Sequence, residues 1–130
     1  MSKKHIQKST SKEASVKVIH LYTWGNKCRS SKPKPSDFNL CVTGISTHKP
    51  SGINLKTTDG RDKRLQEKFE RQPKFDMYMT STLQKIIETN PKVVSINCHK
   101  GRHRSVAFCE MLAMKLKELE YTVTIEHVEL

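Results

Sequence analysis

Residues 98–105 form the segment whose residue types and spacing point most directly to chemistry. They read Cys-His-Lys-Gly-Arg-His-Arg-Ser and lie between a short apolar stretch and a long amphipathic one. If a strand delivers the chain to the first turn of a helix here, the free N–H groups and the positive dipole end of that helix form an anion site. The crowded cations of this segment repel each other, and a bound anion relieves that repulsion. The segment therefore predicts a loop that binds phosphate.

Each residue type in this segment suits such a site. Gly101 allows the backbone to wrap closely around a ligand. Arginine holds a phosphate through paired hydrogen bonds, and serine donates its hydroxyl or caps the helix. The candidate phosphate-binding residues of the loop are His99, Lys100, Gly101, Arg102, His103, Arg104 and Ser105.

The loop resembles the signature of the dual-specificity cysteine phosphatases, His-Cys-x2-Gly-x2-Arg-Ser/Thr. Cys98, Gly101, Arg104 and Ser105 stand at the matching positions. A cysteine among cations at a helix N-terminus is a nucleophilic thiolate. The resemblance implies that Arg104 holds the phosphoryl oxygens and that Ser105 assists the thiol as leaving group.

This first resemblance covers residues 92–115 and has two departures. Asn97 precedes the cysteine, where most of the phosphatases have histidine. Those enzymes also need a general acid, and no motif selects one among Asp37, Asp59 and Asp62. The phosphatase is therefore kept as the alternative hypothesis.

The chain is also similar to the RapZ C-terminal domain family (RNase adapter protein), and this resemblance extends over residues 16–130. The loop of that family reads Cys-Thr-Gly-Gly-x-His-Arg-Ser-Val, and the residues that match it are Cys98, Gly101, His103, Arg104, Ser105 and Val106. Further similarities follow in the family's order: the strand and glycine turn at 21–27, His48, residues 59–62, the break at 72–73 and His127. Agreement in order over the chain favours this family over the phosphatases.

The RapZ resemblance implies a binding domain rather than an enzyme. The family's domain looks like a sugar-phosphate sensor that binds glucosamine-6-phosphate and contacts a small RNA. The residues that would hold the ligand are His48 and residues 99–105. His99 and Lys100 replace the family's Thr and Gly, so the ligand is left as a sugar phosphate or a nucleotide. The two resemblances agree on a bound phosphate and differ on whether Cys98 attacks it.

The charge of the chain indicates anionic partners. The 130 residues contain 24 Lys and Arg against 13 Asp and Glu, a formal net charge of +11 with His neutral, and such a field attracts phosphates and nucleic acid. The basic loop 27–36 and residues 1–15, predicted to be a disordered basic arm, are the candidate RNA contacts. A purely nucleic-acid-binding module whose loop holds backbone phosphate is a third hypothesis.

Other classes of protein are disfavoured. No apolar run has the roughly 20 residues of a membrane span, and no signal peptide is recognisable, so we expect no membrane association. The four cysteines show no CxxC spacing, which argues against a zinc site or a disulfide scaffold. We expect a cytoplasmic protein that needs no metal or cofactor. The oligomeric state is left open.

The elements that must position the loop alternate between strand and helix. Period-2 and continuous apolar runs predict strands, and apolar spacings of three and four predict helices. The predicted strands are 16–24, 38–45, 93–97 and 121–130, and the predicted helices are 63–72, 73–90 and 106–120. The sequence therefore predicts a single α/β domain over residues 16–130, with a mixed sheet of about four strands, helices packed on it and a phosphate-binding loop between a strand and a helix.

Overall fold

The computed structural model describes residues 17–46 and 52–130. The strands are β1 (Lys17–Gly25), β2 (Phe38–Cys41), β3 (Val93–Cys98) and β4 (Tyr121–His127). The helices are α1 (Lys63–Glu70), α2 (Phe75–Thr89) and α3 (Arg104–Glu118). Their order along the chain is the predicted one. The predicted arm 1–15 and the candidate ligand residue His48 lie outside the described residues.

Local signals place the ends of α1 and α2 close to where the sequence predicts them. The Asp62 carboxylate accepts a hydrogen bond of 2.8 Å from the Arg64 N–H and so caps the start of α1. Helix α2 ends at Asn90, whose φ of 50° is left-handed. Pro91 follows, and it cannot continue a helix.

The four strands form one sheet in the order β2-β3-β1-β4. All of its pairings are parallel. The predicted α/β domain with about four strands is confirmed, and its sheet is parallel rather than mixed. The helices account for this difference: α1 and α2 carry the chain back from β2 before β3 starts, and α3 does the same between β3 and β4.

The helices pack on one face of the sheet and enclose the core there. Ile19 and Leu21 of β1 and Ile96 of β3 are fully buried on this face. Phe75 and Phe108 pack edge to face against each other, 5.6 Å apart, and belong to the same apolar cluster. A parallel sheet needs such burial, because its strands consist mainly of apolar residues.

Residues 26–37 cross the opposite face of the sheet, from the carboxyl end of β1 to the amino end of β2. The Tyr22 hydroxyl donates to the backbone carbonyl of Lys34, and the Trp24 indole N–H donates to the Asn39 side chain at 2.9 Å. Both aromatic side chains are buried, so they pack within the fold. The carboxyl ends of β1, β2 and β3 are adjacent, and the loops that leave them meet at the site described next.

Candidate anion-binding loop

The loop from Cys98 to Ser105 connects the end of β3 to the first turn of α3. Its sharpest point is Gly101, whose φ of 72° is left-handed. A Cβ atom at this position would lie 2.6 Å from the backbone nitrogen of Gly25 and 2.7 Å from Cγ of Glu129. Only glycine therefore lets the loop pass this close to the end of β1.

Backbone hydrogen bonds to its carbonyl groups hold the loop in place. The N–H groups of Asn26 and Lys27 donate to the carbonyls of Cys98 and His99 at 2.9 and 2.8 Å. From the other side, the Gly60 N–H donates to the carbonyl of Arg102 at 2.8 Å. The loop's acceptors are thus turned outward to neighbouring segments.

The N–H groups of the loop are available for a ligand. In the described part of the chain, no backbone N–H from Lys100 to Val106 has a hydrogen-bond acceptor. His103 occupies the cap position of α3, and its side chain makes no capping hydrogen bond. Consecutive N–H groups at the positive end of a helix dipole bind an anion.

His103 contacts the chain rather than open solvent. Its Nε2 lies 2.9 Å from the carbonyl of Leu55 and 2.8 Å from that of Thr58. These contacts fasten the segment before α1 to the loop. The sequence suggested His103 as a ligand residue, and its side chain has this positioning role in the structure.

Arg104 joins the loop to the segment that follows β2. Its Nη1 donates to the carbonyls of Thr43 and Ile45 at 3.1 and 3.4 Å, and its Nη2 lies 3.4 Å from Nδ1 of His99. The guanidinium has five N–H donors, so donors remain for an anion beside the loop.

His99 lies exposed among positive charges. Partial desolvation, with the charges of Arg104 and Lys27, lowers the pKa of His99 below its usual value. Lys100 is exposed as well, and Arg102 is half-buried. An anion in the loop would offset the mutual repulsion of these side chains.

Cys98 and Ser105 are both buried beneath the loop. The Cys98 side chain is 3% exposed and its thiol donates to the Ser105 hydroxyl at 3.2 Å. The serine is fully buried. These two residues join the base of the loop to the first turn of α3, and their contact supports the loop from below.

The three aspartates considered as general acids each have other partners. Asp37 accepts from the N–H groups of Lys92 and Val93 at 2.7 and 2.9 Å, at the amino end of β3. Asp59 binds the Arg61 guanidinium at 2.7 Å. Asp62 caps α1 and binds Arg64.

Two further residues near the loop carry no recognisable sequence motif. Cys41 lies between apolar residues in the sequence, but its side chain is exposed at the end of β2. Burial raises the pKa of its thiol, but hydrogen bonds from Thr43 and Asn97 and the charge of Arg104 outweigh burial, so the pKa is lowered. No sequence motif marks this residue, because its neighbours come from distant parts of the chain.

Glu129 is the second such residue. Its carboxylate accepts from the Gly25 N–H at 3.1 Å and from Arg29 Nε at 2.7 Å. The hydrogen bond from Arg29 is the main reason that the pKa of Glu129 is lowered. The end of the chain thereby packs against the loop at Gly101.

The described residues bear on three other features: metal sites, membrane-spanning helices and disulfide bonds. Within 17–46 and 52–130, no set of three or more His, Cys, Asp or Glu side chains is arranged to hold a metal ion. None of the helices in these ranges has the length and apolar character needed to cross a membrane. All four cysteines are free thiols.

Fold and loop together define a class: a parallel α/β domain with a basic strand-to-helix loop at the carboxyl edge of its sheet. Within that class, the chain belongs to the RapZ C-terminal domain family, whose profile matches residues 17–130. This match confirms the family resemblance read from the sequence.

A curated relative supports the same assignment. The chain is 34% identical over 86 residues to a protein of Endomicrobium trichonymphae named "Nucleotide-binding protein". The match covers 58% of this chain and 29% of that protein. The chain therefore spans less than a third of the length of this relative.

Proposed function

We propose that this domain binds a phosphorylated small molecule at residues 98–105. The observation that carries the proposal is the run of backbone N–H groups from Lys100 to Val106, which have no acceptor in the described part of the chain. They lie at the N-terminus of α3, where the helix dipole favours negative charge. The phosphate group accepts hydrogen bonds from these N–H groups and from the Arg104 guanidinium.

The surrounding charges support a phosphate rather than a neutral ligand. His99, Lys100 and Arg102 flank the loop. Two acidic groups near it have cationic partners of their own, Asp59 with Arg61 and Glu129 with Arg29. Their charge is therefore largely balanced, and the loop remains positive. His48, outside the described residues, stays in the proposal as a further ligand residue.

A binding role accounts for the site better than phosphatase chemistry does. A nucleophilic Cys98 would need an accessible thiolate, whereas its side chain is almost fully buried and donates to Ser105. The three aspartates are engaged in structural contacts, and Asp37 lies at the opposite end of β3. Turnover of a phosphate ester that is lost in Cys98→Ser would overturn this assignment.

Two ligand classes are compatible with the proposal. The family resemblance favours a sugar phosphate such as glucosamine-6-phosphate, and the name of the Endomicrobium relative favours a nucleotide. Either would present a phosphate to the loop and its organic part to the segments after β1 and β2. Such metabolites are abundant in the cytoplasm, where we place the protein.

The proposal is tested by titration calorimetry with glucosamine-6-phosphate, AMP, inorganic phosphate and unphosphorylated glucosamine. Loss of the charged, bidentate contact in Arg104→Gln should weaken binding of the phosphorylated ligand at least 10-fold, because hydrogen bonds to charged groups are worth about 1.5–3 kcal/mol.

Arg71→Gln is the matched control, since it removes the same charge from an exposed position at the end of α1. Thermal unfolding of both variants separates lost binding from lost folding, because Arg104 also donates to two carbonyls. Binding of glucosamine as strong as that of its phosphate, or equal binding by both variants, would contradict the proposal.

RNA binding is a second proposal, supported by the basic loop 27–36. Within it, Arg29 and Lys34 form ion pairs with Glu129 and Glu126, at 2.7 and 2.6 Å. Within the described residues, neither Lys27 nor Lys32 forms an ion pair, and Lys32 donates to the Ser36 hydroxyl at 3.0 Å. These two lysines are therefore the loop's best candidates for RNA phosphates, together with the lysines of residues 1–15.

A further inference from the structure

The loop 98–105 offers more hydrogen-bond donors than one phosphate group needs. The seven consecutive backbone N–H groups from Lys100 to Val106 have no acceptor in the described part of the chain. Four of them belong to the loop before α3, and three belong to the first turn of that helix. A phosphate group presents three terminal acceptor oxygens. The backbone donors, together with Arg104, therefore suffice for two phosphate groups side by side.

The loop also lies where the connections between strands change direction. The segment after β1 crosses one face of the sheet to β2, whereas α3 leads from β3 over the other face to β4. β1 and β3 are paired neighbours, so two connections leave adjacent carboxyl ends on opposite faces. In open parallel sheets, ligands bind outside such a pair of strand ends, and a diphosphate there is held by a glycine-containing turn and the N-terminus of the following helix.

Lys27 brings a positive charge from the β1 side of this position. Its backbone N–H donates to the His99 carbonyl at 2.8 Å, and its charge contributes to the lowered pKa of His99. The Lys27 side chain is exposed and forms no ion pair within the described part of the chain. Arg29, the next cation after β1, is bound by Glu129 at 2.7 Å. Lys27 rather than Arg29 is therefore left for a ligand beside the loop.

His99 connects Lys27 to the arginine of the proposed phosphate site. Its Nδ1 lies 3.4 Å from Nη2 of Arg104, and its carbonyl accepts from the Lys27 N–H. Lys27, His99 and Arg104 thus form a row from the end of β1 to the start of α3. A single phosphate group at Arg104 leaves the charge of Lys27 unmatched, whereas a second phosphate group on the same ligand extends towards it.

We propose that the ligand of this site carries a diphosphate, with one phosphate group at the first turn of α3 and Arg104 and the other at the loop and Lys27. The inference rests on the proposed phosphate site and narrows its ligands to one chemical class. A terminal diphosphate, as in a nucleoside diphosphate, and a diphosphate that links two sugars share this chemistry.

Titration calorimetry with inorganic phosphate and pyrophosphate tests the second phosphate position. Pyrophosphate should bind the wild type at least about 10-fold more tightly than phosphate, because it adds hydrogen bonds between charged groups. Lys27→Gln should lower the affinity for pyrophosphate by about 3- to 10-fold, as expected for a partly exposed charged contact, and the affinity for phosphate by much less.

ADP and ADP-ribose, each compared with AMP, distinguish the two sources of a diphosphate. ADP carries it at the end of the molecule, and ADP-ribose carries it between two sugars. At least one of the two should bind more tightly than AMP, and Lys27→Gln should reduce that preference. Equal affinities for all three nucleotides would contradict the inference.

Lys68→Gln is the matched control, because it removes the same charge from an exposed position on α1 and so measures the effect of net charge alone. Thermal unfolding checks that both lysine variants are folded. Equal binding of phosphate and pyrophosphate by the wild type, or an equal loss of pyrophosphate affinity in the two variants, would overturn the diphosphate inference and leave the phosphate site standing. If neither anion binds, the proposed function fails and this inference fails with it.

Discussion

At the scale of single residues, we expect His99 and Arg104 to determine how the proposed anion site responds to its ligand. The ring nitrogen of His99 lies 3.4 Å from the Arg104 guanidinium. Partial desolvation, Arg104 and Lys27 make the protonated ring unfavourable in the free loop, and so lower the pKa of His99. A bound anion reverses the effect of these charges. Binding is therefore expected to take up a proton at His99.

This coupling predicts that anion affinity rises as the pH falls. A group whose pKa is higher in the complex than in the free protein favours the complex at low pH. Sulfate is a suitable probe, because it stays a dianion between pH 8 and 5.5. Its affinity should increase several-fold over this range in the wild type, measured by calorimetry.

His99→Gln should flatten that pH profile, while affinity near pH 8 changes little because His99 is already neutral there. His20→Gln is the control, since His20 is half-buried on β1 and contacts Thr124 and Glu126 instead. An unchanged slope in His99→Gln would show that another group takes up the proton.

At the scale of elements, α1 depends on its cap. Asp62 binds the backbone N–H and the guanidinium of Arg64, and the guanidinium is the main reason that the pKa of Asp62 falls to about 2. α1 in turn lies next to Gly60, whose N–H holds the loop at Arg102. The cap thus supports both the helix and one wall of the site.

Asp62→Ala should lower the melting temperature at pH 7 by about 3–5 °C, the usual result of losing an N-cap in a small domain. The folded-state pKa lies below the unfolded value, so this stabilisation is present above about pH 4 and is lost as the pH falls towards 2. The melting temperatures of the wild type and of Asp62→Ala should therefore converge as the pH falls, as measured by thermal unfolding across this pH range. Glu67→Ala also removes a carboxylate from α1, but Glu67 is not the capping residue. This change should therefore shift the melting temperature little.

At the scale of the whole molecule, the net charge of +11 is only partly available to partners. The last strand and the residues after it supply Glu126 and Glu129, which bind Lys34 and Arg29 of the basic loop. These contacts hold residues 26–37 against the sheet. Of the loop's cations, Lys27 and Lys32 form no ion pair within the described residues.

RNA binding through this loop predicts a specific salt dependence. Each phosphate contact to a single strand adds about 0.7 to the slope of log affinity against log salt. Lys27→Gln with Lys32→Gln should therefore reduce the slope by about 1 for a mixed-sequence oligonucleotide, as measured by fluorescence anisotropy. Lys63→Gln with Lys68→Gln on α1 should leave the slope unchanged. Equal slopes in the two double variants would contradict a role for the loop.

The sequence alone was sufficient for features that are local in the chain. The loop 98–105 is contiguous, and a strand before it and a helix after it follow from apolar spacing, so its place at the start of α3 was predictable. The Asp62 cap is local in the same sense, because a capping residue and its helix are adjacent in the chain. The family was recognisable from the order of such local motifs.

Only the tertiary structure decided the features that join distant segments. Arg104 meets the carbonyl of Thr43, and Glu129 meets Gly25 and Arg29, across separations of 61, 104 and 100 residues. The same holds for the parallel order of the strands, the exposure of Cys41 and the place of Lys27 beside His99. Hydrophobic periodicity indicates which side chains point to the core, but it does not identify the residues they contact. Those contacts are set by how the strands align, and the alignment depends on packing of the whole sheet against its helices.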